Sequence, residues 1–421
     1  MTPGEQSWAV RARWVVPVDR PPLRNGVVTM AGGRILSVGK SSSGPPPLDL
    51  GDVALLPGLI NAHTHLEFSA FDKPWGMPGQ PFHLWLSQII ARRRELFTEP
   101  IDRAALNQQA VQQGLVESHA AGVVGVGEIA VSDWSHAALD TAERPETAVI
   151  FYELLGLASE RVEPLLAEAR LHLSRGLHSS HADKTGAVRY GLSPHAPYTV
   201  NPRLLHEAVA LSAETQTPLA MHLAESWEEL ELLQSHSGGL VEVLKSVDRW
   251  YPGELPRGLR PLDYLQTLAT AHRSLVIHGN FLVEDEWEYI AKQPQMSVVY
   301  CPRTQSHFNH GDYPLAEMLK AGVRVAIGTD SRSSNPDLSL WKELKHIALR
   351  HPAVSPAEVL KLGTMNGAEA LGIGKDWGSI TPGKRAVLLQ MPIVSGDDEP
   401  VESLLRCEQA PQRIEQAGSF R

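Results

Sequence analysis

Cysteine is scarce in this chain. Cys301 and Cys407 are the two present in 421 residues, and their separation supports neither a disulfide framework nor a cysteine-based zinc motif, so a reducing compartment is expected. No cluster of Lys and Arg stands out, and a net charge of -10 argues against a nucleic-acid surface. No apolar run is long enough for a bilayer: 8–18 is interrupted by Arg11, Arg13 and Pro17, so neither signal peptide nor membrane partner is expected, and the reading is cytoplasmic. The glycine fingerprint that cradles a dinucleotide phosphate is also missing. The expected partner is therefore a small molecule, with a homo-oligomer left open.

What is present is a pair of histidines. The apolar run Leu56-Pro57-Gly58-Leu59-Ile60-Asn61-Ala62 ends in His63-Thr64-His65. Alternate side chains of a strand share a face, so His63 and His65 would reach one point while Thr64 turns away. That is a chelating geometry, although two polar residues closing a strand would look the same.

The remainder of the chain breaks this tie. From Trp8 to about Val53, short apolar pieces separated by Asn25-Gly26 and Gly32-Gly33 read as a small antiparallel β module. Apolar runs then alternate with amphipathic stretches, the form taken by a parallel sheet with crossover helices. Eight strands are expected at 55–63, 123–129, 148–154, 188–192, 219–222, 275–278, 297–301 and 323–327, with helices among them at 84–97, 104–121, 161–173, 203–214, 284–292 and 340–350. The fold class is α/β, a (β/α)8 TIM barrel at 55–375. Residues 1–54 and 376–421 would together build a small β-sandwich domain from both termini, the C-terminal β-like run lying at about 378–394.

A barrel keeps its active site at the C-terminal ends of its strands. The candidate strands end on His63 and His65, on Ser193-Pro194-His195, on His222, on His278 and on Gly328-Thr329-Asp330. Most other histidines fall in expected helices or loops. Imidazoles with a carboxylate suit zinc or ferrous iron and leave room for a water. Metal binding lowers the pKa of such a water to roughly 7, which makes hydroxide available at neutral pH. His63, His65, His222 and Asp330 would form this site, and Glu225, three residues past His222, is placed to shuttle a proton.

These segments, Pro57-Gly58-Leu59-Ile60-Asn61-Ala62-His63-Thr64-His65, Ser193-Pro194-His195-Ala196-Pro197-Tyr198, His222-Leu223-Ala224-Glu225, His278-Gly279 and Gly328-Thr329-Asp330-Ser331, resemble the amidohydrolase superfamily, in its branch of metal-dependent deaminases and chlorohydrolases. The resemblance spans nearly the whole chain in the family's order. It implies one divalent metal, zinc with iron as the alternative, on His63, His65, His222 and Asp330. It also implies Glu225 as proton shuttle, His278 orienting the nucleophile, Asp330 doubling as base, and His195 against substrate. His65-Leu66-Glu67-Phe68-Ser69 followed by Trp85-Leu86 and Arg92-Arg93-Arg94 is similar to the start of aminodeoxyfutalosine deaminases. The function implied is hydrolytic release of ammonia from an aminated purine-type ring of a nucleoside. Glu67, Trp85 and Ser334 are candidate substrate contacts, with His307 and Glu153 behind them. One departure lies in the tail, where Ala386-Val387 stands for the family's Ala-Asp.

A two-metal cyclic amidase needs a lysine at the end of strand four, and Val188-Arg189-Tyr190-Gly191-Leu192-Ser193-Pro194-His195 has none. Deaminases that hold zinc through cysteines need Pro-Cys-x-x-Cys, and neither cysteine is so placed. A chlorohydrolase, or an aminohydrolase of guanine, pterin or triazine rings, is the nearer alternative, because each is a hydrolytic displacement at an electron-poor carbon. A non-catalytic metal-binding homologue is the remote one.

Overall fold

The computed structural model describes residues 7–42, 44–96, 103–178, 188–393 and 399–414. Five strands open the chain: β1 (Trp8–Val15), β2 (Leu23–Ala31), β3 (Arg34–Gly39), β4 (Leu48–Asp49) and β5 (Val53–Pro57). Eight parallel strands follow: β6 (Leu59–Thr64), β7 (Val123–Ala130), β8 (Thr147–Leu154), β9 (Val188–Pro194), β10 (Pro218–Leu223), β11 (Arg273–His278), β12 (Met296–Tyr300) and β13 (Val325–Ile327). The chain returns with β14 (Leu388–Pro392) and β15 (Gln412–Arg413).

The eight strands pair in sequence order from β6 to β13, and a parallel bridge from Thr64 to Asp330 joins the first strand's end to the last. This is the expected TIM barrel. Its interior is filled by alternate strand residues, Ile60 and Ala62, Val149 and Phe151, Leu275 and Ile277, and is plugged by Leu371, Ile373 and Trp377. Burial of each of the larger aliphatic side chains among them stabilises the fold by about 1.5–3 kcal/mol. A second apolar layer lies between strands and outer helices, with Leu115, Leu166, Leu205 and Leu344 among its members. The expected helices form within a few residues, at Phe82–Leu96, Arg103–Ala120, Val162–His178, Pro202–Thr215, Glu284–Ala291 and Leu340–Arg350; Phe97 lies outside the described residues, as does Val394.

The other sheet runs β15-β14-β5-β1-β2-β3, with β4 on β1, and so draws on both ends of the chain as expected for the small β-sandwich. Val10, Val28, Met30, Ile35, Leu55 and Leu388 form its core. The tail carries a helix, Pro400–Arg406, that its sequence did not announce.

One expected element is corrected. The strand at 55–63 is two strands in two sheets: β5 pairs antiparallel with β14, and β6 pairs with β7. The break falls at Gly58, where an added Cβ would lie 2.1 Å from Val124 Cγ1. Only a residue without a side chain lets the backbone pass that close to β7. An unbroken apolar run hides such a junction, because both halves are buried and periodicity carries no mark of the change of sheet.

Candidate metal centre and its cavity

Each functional side chain sits where a strand stops. β6 ends at Thr64, whose hydroxyl turns away to donate to Glu128 Oε2 at 2.7 Å. Leu66 N–H donates to the same buried carboxylate, so Glu128 fixes the chain on both sides of His65. β10 ends at Leu223 with His222 pointing into the mouth, and β11 ends on His278. Beyond β13, Asn61 Nδ2 donates to Thr329 Oγ1 at 2.8 Å while Thr329 N–H donates back to Asn61 Oδ1 at 3.1 Å. This pair clamps the strand carrying His63 to the segment carrying Asp330. Gly328 allows the approach, since a Cβ there would meet His63 Cβ at 2.8 Å.

Three residues at these ends adopt positive φ: Ala224 at 53°, His278 at 68° and Asp330 at 57°. Such conformations cost energy for residues with a Cβ and persist only where surroundings over-determine them. The surroundings here are polar and specific. Glu229 accepts the N–H groups of Ala224 and Glu225 at 2.8 and 3.0 Å, Asn280 Nδ2 donates to Glu225 O at 2.9 Å, and Tyr313 Oη donates to His278 O at 3.0 Å. Asp330 is held by Ser334, whose Oγ donates to Oδ2 at 2.9 Å. Asn335 Nδ2 donates to Thr329 O and to Glu343 Oε1, and Glu343 is fixed in turn by Arg303.

The side chains converge. His65 Nε2 and His222 Nε2 are 3.2 Å apart, and Asp330 Oδ1 lies 3.7 Å from His63 Nε2 and 3.9 Å from His65 Nε2. Donor atoms of His63, His222 and His278, and of His63, His65 and Asp330, lie within 4.8 Å of one another. Both ring nitrogens of His63 are buried without a hydrogen-bond partner, an arrangement that is costly unless a ligand takes the lone pair. His222 Nδ1 faces His195 O at 3.0 Å. A carbonyl only accepts, so Nδ1 carries the hydrogen and Nε2 presents a lone pair to the centre. Burial, reinforced by mutual repulsion, holds His63 well below the ordinary imidazole range and His222 at about 4. His65 and His278 are lowered for the same first reason. Neutral imidazoles with a carboxylate and an orphaned buried nitrogen fit a divalent ion of the zinc or iron type.

Glu225 stands beside this centre, Oε1 3.4 Å from His278 Nε2. Burial first, then the charges of Asp330, Glu229 and Glu228, raise its proton affinity well above that of an ordinary carboxyl. Glu229 beneath it is also raised, by burial, to about 7. The folded state therefore binds that proton more tightly than the unfolded chain does. Its stabilising contribution is complete below about pH 4.5 and is lost as pH rises through about 7. Glu229→Gln is expected to flatten the fall in unfolding free energy over that window by up to about 3 kcal/mol, measured by denaturant titration at a series of pH values. Parallel pH dependences in the two proteins would refute it.

A cavity of about 390 Å³ opens above the centre, within the range of small-molecule sites. His65, His195, His222, Glu225, His278 and Asp330 form its floor, and Phe82, Leu86, Ile89, Leu157, Leu244 and Val247 much of its apolar wall. Arg93, Arg94, Arg161 and Arg249 add positive charge. Of the expected substrate contacts, His195, Glu67 and Trp85 line this space. Glu67 is tied to Arg93, and Trp85 packs edge-on to Phe308 with its indole N–H on Ser333 O. Ser334 is corrected: it is fully buried and its hydroxyl is engaged by Asp330 and Thr304, behind the wall. His307 lies off the cavity, while Glu153 is on it.

Glu128, Glu229, Asn61 and Glu343 were not found from sequence. Their only signal is a lone acid or amide in an apolar strand or helix face, such as Val123-Val124-Gly125-Val126-Gly127-Glu128.

Residues 54–403 match the sequence model of the amidohydrolase family. The chain is 28% identical over 329 residues to an aminodeoxyfutalosine deaminase of Deinococcus radiodurans, covering 76% of this chain and 73% of that protein. It is 28% identical over 414 residues to a 5-methylthioadenosine/S-adenosylhomocysteine deaminase of Nitratidesulfovibrio vulgaris, covering 93% and 85%. The fold superposes on an adenosine deaminase from Xanthomonas campestris with bound zinc at a TM-score of 0.75, 25% identity, and coverage of 95% and 89%.

Proposed function

Because the chain belongs to the amidohydrolase family, we propose that it is a metal-dependent hydrolytic deaminase of an adenine-bearing nucleoside, releasing ammonia from the aminated ring carbon. The observation that carries this reading is the clustering of His63 with His65 and Asp330, and of His63 with His222 and His278, with a proton-holding Glu225 at the edge of the same cavity. A divalent ion on His63, His65, His222 and Asp330 would lower the pKa of a bound water and supply a nucleophile at neutral pH. Zinc is the ion proposed, on the donor set and on the likeness to a zinc-bound deaminase.

The protein's own groups divide the proton work. Asp330, steadied at Oδ2 by Ser334, takes a proton from the attacking water. Glu225 enters the reaction protonated and gives its proton to a ring nitrogen, which makes the adjacent carbon electrophilic. His278, neutral and fixed through its carbonyl by Tyr313, orients the nucleophile beside Glu225. An amine leaves only with a proton: the one Asp330 took from the water passes to the leaving nitrogen, and the added hydroxyl's own proton returns to Glu225 as the ring carbonyl forms, a relay that suits ammonia release better than loss of chloride. The apolar wall, edged by Arg93, Arg94, Arg161 and Arg249, suits a nucleoside extended at its 5′ position, and an aminodeoxyfutalosine deaminase and a 5-methylthioadenosine/S-adenosylhomocysteine deaminase are among its relatives.

Ammonia release by metal-quantified protein tests the proposal, with aminodeoxyfutalosine, 5′-deoxyadenosine, S-adenosylhomocysteine, adenosine, guanine and an aminochlorotriazine as substrates. Adenine nucleosides are expected to exceed guanine and the triazine in kcat/KM by about 100-fold or more, since sites that hydrogen-bond a ring reject wrong ring edges strongly. Preference for guanine or the triazine would overturn it.

A further inference from the structure

The other end of the barrel, where the strands begin, carries an open cavity of about 670 Å³, larger than the catalytic one. Its wall includes Arg170 of the helix Val162–His178, Arg189 at the start of β9, and His272 and Arg273 where β11 begins. Arg189 precedes His195 by six residues, so the length of the strand sets this cavity about 20 Å from the metal centre. In a chain of net charge -10, the hollow is cationic. Among the described residues Glu214 is the one carboxylate on its wall, and no carboxylate forms an ion pair with Arg170, Arg189 or Arg273. The guanidiniums touch backbone instead: Arg189 Nη1 donates to Gly372 O at 2.6 Å, and Arg273 Nη1 donates to Glu369 O. Gly372 leaves the room for this, since a Cβ there would lie 3.1 Å from Arg273 Nε. A guanidinium has five N–H donors, so most of them stay open on both side chains. Arg170 has no acceptor among the described residues. Arg273 is half-buried; burial first, then the charge of Arg324, lower its proton affinity, Glu369 opposes this and Arg189 adds to it. Crowded cations with open donors are costly, and an anion that takes those donors recovers the cost.

We propose that this cavity is a second binding site, separate from the catalytic one, for a phosphate group, either free or on a small organic carrier. Planar guanidinium forks on two strands match the paired oxygens of a phosphate, which brings up to two charges and several acceptor oxygens. A carboxylate brings one charge and two oxygens, and leaves more of the donors unmet. The space exceeds what the free ion fills, and Tyr190, Leu173 and Leu211 offer a carrier an apolar side. A bound phosphate would bridge β9, β11 and the segment at Leu371 and Gly372 that plugs the barrel. Occupancy therefore stabilises the folded protein by mass action and leaves the chemistry at the mouth alone.

Calorimetric titration of the metal-loaded protein tests this, with inorganic phosphate, uridine 5′-diphosphate and acetate as probes. A pyrimidine carrier keeps the nucleotide out of a purine-selective cavity. Wild type, Arg189→Gln, Arg273→Gln and Arg170→Gln are compared, with metal content, thermal midpoint and turnover of 5′-deoxyadenosine recorded for each. Wild type is expected to bind one equivalent of phosphate or of the diphosphate with a dissociation constant below about 1 mM, weakening as salt rises. Acetate should bind about tenfold more weakly or worse. Each glutamine variant should lose about tenfold or more in affinity for the phosphate probes, with metal content and turnover unchanged. Arg170→Gln removes no hydrogen bond among the described residues, so it serves if the strand variants do not fold. Diphosphate binding about tenfold tighter than phosphate identifies an organic carrier, and equal affinity identifies the free ion. Absence of saturable binding of either phosphate probe below about 10 mM would overturn the proposal. Affinity unchanged across all the variants would do the same, because the ion would then sit elsewhere, at the metal centre for instance.

Discussion

Replacing Glu225 by glutamine is expected to lower kcat by about 10²–10⁴-fold, the range for loss of a positioned general acid, with little change in KM or metal content. A carboxyl beside Asp330, Glu228 and Glu229 inside the barrel mouth keeps its proton where an exposed one would lose it. Glutamine copies the shape and the neutral charge of that protonated state but transfers nothing. The backbone at this position is held independently of the side chain, through Glu229 and Asn280, so the substitution leaves the strained segment after β10 in place. Glu225→Asp should retain a proton but fall short in reach, giving an intermediate rate. Single-turnover kinetics on protein of known metal content provide the measurement. A glutamine variant with its metal and near-normal turnover would remove Glu225 from the mechanism.

Metal removal is the second large effect. Dialysis against a chelator is expected to abolish ammonia release and to lower unfolding stability, by about 4 kcal/mol when compared with protein at a metal concentration a thousand times its dissociation constant. The physical cause is already visible in the protein part alone. His63 has two buried nitrogens with no partner, and His65 and His222 turn nitrogens toward each other at 3.2 Å. Without an ion the two His63 nitrogens are desolvated and unpaired. Returning zinc should restore both stability and activity. Because burial has already pushed the imidazoles below their ordinary range, and His222 to about 4, protons compete poorly for them, and metal should be retained down to about pH 5. Full activity in protein shown to be metal-free would contradict the proposal.

Much of this centre was legible in the sequence for a simple reason. Barrel strands are short apolar runs, and a polar residue at the end of such a run is conspicuous, so His63, His65, His195, His222, His278 and Asp330 stand out. Glu225 follows from its spacing to His222. The supporting groups were not legible. Glu128 contacts residues 62 and 64 positions away, and Asn61 meets Thr329 across 268 positions. No local period marks such pairs, because they are created when the barrel closes. Ser334 misled for a related reason: proximity to Asp330 in sequence does not say whether a hydroxyl faces the cavity or the carboxylate's back. The break at Gly58 was hidden by equal burial on both sides.

That break carries a consequence for how the protein is made. The strand before Gly58 finds its antiparallel partner in 388–392, and the strand after it carries the first two histidines of the centre. During synthesis, Val53–Pro57 emerges early and waits for more than three hundred residues before β14 exists to cover its edge. An exposed apolar strand edge is an aggregation hazard over that interval. The barrel has the same long wait, since Thr64 meets Asp330 only when the eighth strand is in place. Folding of this enzyme is thus a late, high-contact-order event, in which one edge each of β5 and β6, both made early, is satisfied last.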